Sequence, residues 1–202
     1  THPLIPYKDW EIKQKALTVY EVPIEYCKYR LDNGRIKTQI LTHIKLKGSL
    51  NAESDDTQKI ISEYLGKSDT KTNDDLKKIL KKEGQKDPAV MTADGFLING
   101  NRRKWAFEQL LNEYPEEKYK KLKVVILPGS EDPERPTVKD IAILENRFQV
   151  YLTGKSEYSK MNKALTYYTN TLSGITLEEL LKDDPTFGDS DNKKFQQKLK
   201  KI

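Results

Sequence analysis

The stretch Phe96-Leu97-Ile98-Asn99-Gly100-Asn101-Arg102-Arg103 leaves this chain little freedom in how it folds. The three apolar residues read as a short buried strand, and Asn-Gly suits a tight turn with positive φ. A helix follows at once over Gly100–Tyr114, with Ala106, Phe107, Leu110 and Leu111 facing the core and Pro115 after its end. Helix starts normally attract acids, because they carry partial positive charge and unsatisfied N–H donors. Arg102 and Arg103 sit against that preference. A strand, a glycine turn and a helix start bearing two guanidinium groups make a cradle for phosphate oxygens, so the pattern points to an anion site, and to a nucleotide as its ligand. The bland alternative is a solvated helix start with incidental arginines.

Upstream, Trp10–Leu17 reads as a short helix and Leu17–Tyr26 as a β-branched, aromatic strand with Pro23 at an edge or bulge. Leu31–Arg35 contains Asn33-Gly34 and reads as a turn, Ile36–Leu46 is ambiguous, Ser49–Asp56 is a polar loop, and Thr57–Leu65 is a helix. A further helix opens at Thr72 with Asp75, carries Leu76, Ile79 and Leu80 inward, and ends at Gly84. Ala89-Val90-Met91 and Phe96-Leu97-Ile98 flank Asp94-Gly95 as a hairpin. Lys123–Leu127 reads as a strand, Pro128–Pro136 as a surface loop, and Thr137 to about Phe148 as a helix.

From Ser156 the pattern is all helical: Ser156–Leu172, then Leu177–Leu181 opened by a Thr176/Glu179 capping box, then the basic Lys193–Ile202. The predicted fold class is therefore α/β (α+β), a small mixed sheet flanked by helices. It is followed by a helical subdomain, with the boundary near Thr153-Gly154 and domains over 1–153 and 154–202. Charged residues make up 33% of the chain and the net charge is +5, a basic excess compatible with nucleic acid or a polyanionic ligand. One cysteine, Cys27, excludes an intramolecular disulfide and fits a reducing cytosol. With no apolar stretch of membrane-spanning length and no signal-peptide core, the expectation is a soluble cytoplasmic protein without membrane partners.

Two motifs in this order carry a family resemblance. They are Gly100-Asn101-Arg102-Arg103-Lys104-Trp105-Ala106 and, one strand later, Leu144-Glu145-Asn146-Arg147-Phe148-Gln149. The arrangement resembles the prokaryotic ParB/sulfiredoxin-like superfamily, whose ParB branch carries GERRxRA and ENxQR; the resemblance covers about 18–150, with an insertion around 45–70. It implies a domain that binds CTP or ATP with magnesium. Gly100, Asn101, Arg102 and Arg103 would hold phosphates, Arg35 would add a phosphate contact, and Gly84 would sit beside the base. Glu145 and Asn146 would place the metal and the triphosphate. The sulfiredoxin branch has cysteine where Asn101 stands, so sulfinic acid repair is not expected. The ParB branch has glutamate there, and asparagine cannot act as a base, which puts CTP hydrolysis in doubt. The Asp-Gly…Gly-Asn-Arg-Arg stretch is also similar to the DGQHR group associated with DNA modification and phage defence.

The resemblance makes two functions available. One is a nucleoside-triphosphate-binding domain that acts with DNA through ligand-gated self-association as a homodimer. The other is an ATP-dependent enzyme, a nuclease or phosphotransferase, in which Glu145 and Glu25 are the catalytic candidates; for Glu25 the competing role is an exposed strand acid. Lys193, Lys194 and Lys198 are candidate DNA-phosphate contacts, against a solvated helix face. Gly174–Leu181 resembles the opening of a helix-turn-helix, but Asp183–Asn192 is far longer than the turn of about three or four residues such a motif uses. His2 and His43 lack the spacing of a zinc site, Asp189–Asn192 reads as a loop, and Cys27 as a small apolar residue or a half-exposed thiol, not a nucleophile.

Overall fold

The computed structural model describes residues 5, 7, 17–150 and 159–181. It contains a four-stranded mixed sheet and, among the described residues, seven α-helices. The strands are β1 (Tyr20–Pro23), β2 (Ala89–Met91), β3 (Leu97–Asn99) and β4 (Lys121–Ile126). The helices are α1 (Lys37–Lys47), α2 (Asp55–Ser68), α3 (Thr70–Glu83), α4 (Asn101–Glu113), α5 (Val138–Val150), α6 (Lys160–Leu172) and α7 (Leu177–Leu181). Two compact units emerge, one over Ala16–Arg135 and one that takes in the chain from Pro136 onward together with Ile5 and Tyr7. The break in contacts at Pro136 comes earlier than the sequence boundary near Thr153-Gly154, whose own residues lie outside the described ones.

In the first unit the strand order is β1-β4-β2-β3. β1 runs antiparallel to β4, with Glu21 opposite Lys123, a favourable cross-strand charge pair. β4 runs parallel to β2, with Ala89 opposite Val124 and Met91 opposite Ile126, so α4 serves as the crossover that parallel pairing requires. β2 and β3 form the expected hairpin, with a register shift at Val90/Met91. Its turn is tied by the Thr92 hydroxyl, which donates to the Asp94 carboxylate and accepts from Phe96 N–H at 3.1 Å. Next to β2, the buried Gln85 side chain imitates a strand. It accepts from Lys123 N–H at 2.8 Å and donates to Lys123 C=O at 2.7 Å.

The core packs Ala89, Met91, Leu97, Leu122 and Val124 of the sheet against Leu80 of α3 and Ala106, Phe107 and Leu110 of α4. A second cluster joins Tyr29, Ile36, Ile40, Ile61 and Leu65, and Trp105 packs against both. Several sequence boundaries shift for local reasons. The expected strand over Leu17–Tyr26 is ordered only at Tyr20–Pro23, because Pro23 removes a ladder donor and a 3-10 turn over Ile24–Tyr26 follows. The ambiguous Ile36–Leu46 is helical, and Arg35 lies in a 3-10 turn capped by Asn33, whose Oδ1 accepts from Arg35 N–H at 3.0 Å. Ser54 caps α2 through Thr57 N–H, so that helix starts inside the expected polar loop. Asp69, not Thr72, caps α3.

In the second unit, Tyr167 of α6 and Leu180 and Leu181 of α7 pack with Ile175, Leu177 and Ala142. The capping box at α7 forms as expected, Thr176 N–H donating to Glu179 at 3.0 Å and Glu179 N–H to the Thr176 hydroxyl at 3.2 Å. The Trp10–Leu17 helix (apart from Leu17 itself), His2, Asp189–Asn192 and the basic Lys193–Ile202 lie outside the described residues.

Candidate anion site

Gly100 sets the geometry of the site. It occupies the left-handed region, φ 93° and ψ 5°, as the N-cap of α4, and no side chain caps the helix start. The first turn of α4 contains no acid and two arginines, so nothing within that turn offsets its partial positive charge. A Cβ on Gly100 would lie 2.5 Å from Ala89 Cβ, so only glycine lets β2 approach this turn.

The two arginines diverge, because consecutive helix residues do not face the same way. Arg103 is stapled to its own turn: its guanidinium donates to Asp87 C=O and to Asn99 Oδ1. Burial pulls its pKa down to about 10, opposed by the Asp87 charge. Arg102 reaches α3, with Nε donating to Asn73 Oδ1 at 2.7 Å and Nη2 to Thr72 Oγ1 at 2.8 Å. Its Nη1 has no hydrogen-bond partner among the described residues. Burial, reinforced by repulsion from Arg35 and opposed by Asp69, also pulls Arg102 to about 10. Both groups stay cationic at neutral pH. Arg35 is itself only 9% exposed. The Asp69 carboxylate is the charge that opposes this repulsion at Arg102.

The other expected residues sit as follows. Asn101 turns inward, Nδ2 donating to Leu97 C=O at 3.2 Å, and its buried Oδ1 has no partner. Gly84 ends α3 with φ 70°, and a Cβ there would meet nothing within 4 Å, so its glycine is selected by the backbone alone. Glu25 is exposed in the 3-10 turn after β1, not in a strand. Glu145 and Asn146 belong to α5 of the second unit, where Glu145 is buried and Asn146 Nδ2 donates to Leu180 C=O. A magnesium ion takes oxygen ligands, often one or two carboxylates plus phosphate oxygens. Glu145 and Asn146 carry oxygen donors of that kind, but as consecutive residues of α5 they face different ways, and among the described residues no three His, Cys, Asp or Glu side chains gather as a metal site. Lys193, Lys194 and Lys198 lie outside the described residues.

Sequence reasoning passed over the polar network behind the site. Glu108 accepts from Tyr29 OH at 2.6 Å and Ser62 Oγ at 3.1 Å and pairs with Lys104, whose Nζ lies 4.0 Å from the Tyr29 ring centroid. The one available signal was the spacing of Lys104 and Glu108, four apart on a helix. Cys27 beside it is buried, and desolvation pushes its thiol up to about 11, with Lys104 opposing; this is an inert core residue, as its apolar neighbours suggest. His43 bonds through Nδ1 to Tyr64 OH at 2.8 Å and takes no part in a metal cluster. No helix among the described residues is long and apolar enough to cross a membrane. No protein-family model, curated protein or solved structure matches this chain.

Proposed function

We propose that the protein binds a nucleoside triphosphate, CTP or ATP, whose phosphates lie at the start of α4 against Arg102 and Arg35. What carries this reading is the half-buried Arg102 guanidinium beside an uncapped helix N-terminus, with the buried Arg35 near enough to repel it and an Arg102 nitrogen still available to donate. Charge-assisted bonds from arginine to phosphate are short, planar and strong, and the helix start adds further N–H donors. Arg103, tied to Asp87 and Asn99, maintains the turn that presents these donors. Binding would gate self-association of the chain and its action on DNA, in the manner the ParB-like motifs imply. Magnesium bound with the triphosphate would neutralise part of the phosphate charge.

Isothermal titration of the full chain with CTP and with ATP, with and without magnesium, tests the proposal. Binding at micromolar to millimolar ligand is expected. Arg102→Ala should weaken it about 10- to 100-fold, the loss of a charge-assisted bond worth about 1.5–3 kcal/mol. No heat from either nucleotide at millimolar concentration contradicts the proposal. Phosphate release in the same samples, abolished by Arg102→Ala, would move the protein to the enzyme class.

A further inference from the structure

We propose that the first turn of α3 is the second wall of this anion site, with Thr72 and Asn73 as positioning residues that aim the Arg102 guanidinium at the ligand. The proposal rests on the anion reading of the α4 start.

Asn73 is 1% exposed, and all of its polar capacity is directed. Its Nδ2 donates to Leu65 C=O at 2.9 Å and Gly66 C=O at 3.2 Å, carbonyls in the last turn of α2 that have no later helical N–H to accept from. Those two bonds fix which way the amide faces, so Oδ1 must point to Arg102 Nε. The Thr72 hydroxyl takes Nη2 of the same group. Two anchors along one edge of a planar guanidinium set both its position and its roll, and leave the Nη1 edge to the ligand.

The wall is itself rigid. Asp69 Oδ1 accepts from Thr72 N–H at 3.3 Å, and Thr72 Oγ1 lies 3.4 Å from Asp69 C=O. The first turn of α3 contains no acid and exposes Lys71, with Asp69 as the opposing charge at the cap. The N-termini of α3 and α4 therefore meet at one guanidinium with Arg35 close by, a field suited to an oligophosphate of several charges. A floppy arginine would have to be ordered on binding, whereas this one is ordered beforehand.

The test is titration of the full chain with inorganic tripolyphosphate, comparing wild type with Thr72→Val, Thr72→Ser, Arg102→Lys and the Thr72→Val/Arg102→Lys double variant. Valine keeps the shape of Thr72 and removes the acceptor, so affinity should fall about 5- to 10-fold, the worth of one hydrogen bond. Thr72→Ser, which keeps the hydroxyl acceptor, should restore it. The double variant should bind no more weakly than Arg102→Lys alone, because Thr72 acts through Arg102. Wild-type affinity in Thr72→Val, or losses that multiply in the double variant, would overturn the positioning role while leaving the anion site standing. A wild-type chain that takes up no tripolyphosphate would remove the anion site and the positioning role together.

Discussion

Gly100 concentrates at one residue what the site needs: a left-handed backbone, a close approach to Ala89, and an open helix start. An L-residue in that backbone region costs about 1–2 kcal/mol, and forcing a methyl into a filled contact costs about 1–3 kcal/mol. Gly100→Ala should therefore lower stability to urea by about 2–4 kcal/mol, whereas Gly84→Ala, which adds a methyl to open space, should lose only about 1–2 kcal/mol. Equal losses at the two positions would show that packing against Ala89 contributes nothing. The turn was legible in the sequence because Asn-Gly is a local signal. The different fates of Arg102 and Arg103 were not. Asn73 and Thr72, which hold Arg102, and Asp87, which holds Arg103 together with the local Asn99, lie 29, 30 and 16 residues away, beyond the reach of local patterning.

Among the elements, the helices with an apolar stripe were legible to within a few residues. α7 follows its capping box, whereas α3 starts from Asp69 instead of Thr72 and leaves Ile79, expected to face inward, 52% exposed. α1 was obscure because its apolar residues point two ways: Ile36 and Ile40 are buried just before and within it, while Leu41, Ile44 and Leu46 are exposed. Strand β1 was overextended because propensity at Ile24–Tyr26 ignores the donor missing at Pro23. α2 offers a test in which tertiary packing should reverse intrinsic propensity. Glycine within a helix is normally worth replacing, since alanine gains about 1 kcal/mol. At Gly66, however, a Cβ would lie 2.9 Å from Trp105 Nε1 and 3.2 Å from its Cε2, on the indole that joins the two hydrophobic clusters. Gly66→Ala should destabilise the protein by about 1–3 kcal/mol in urea denaturation, the usual cost of overpacking; a gain in stability would refute this account of the α2–α4 contact.

For the whole molecule, the mixed sheet flanked by helices follows from the alternation of short strands and amphipathic helices, and the net charge of +5 suits an anionic ligand without identifying one. Function rests on where charge is buried. Several lysines form exposed pairs, such as Lys78 with Asp75 and Lys86 with Glu83, that contribute little. Arg35 and Arg102 are different, being held together and largely out of water beside an uncapped helix. The most direct measurement is the arginine side-chain NMR spectrum of the isotope-labelled chain, with Arg35, Arg102 and Arg103 assigned by substitution, followed as CTP or ATP is added. The Nε–H signals of Arg102 and Arg35 should shift on binding while that of Arg103, stapled to Asp87 and Asn99, stays in place. A saturating titration in which neither Arg102 nor Arg35 moves, or in which only Arg103 responds, would contradict the assignment of this site.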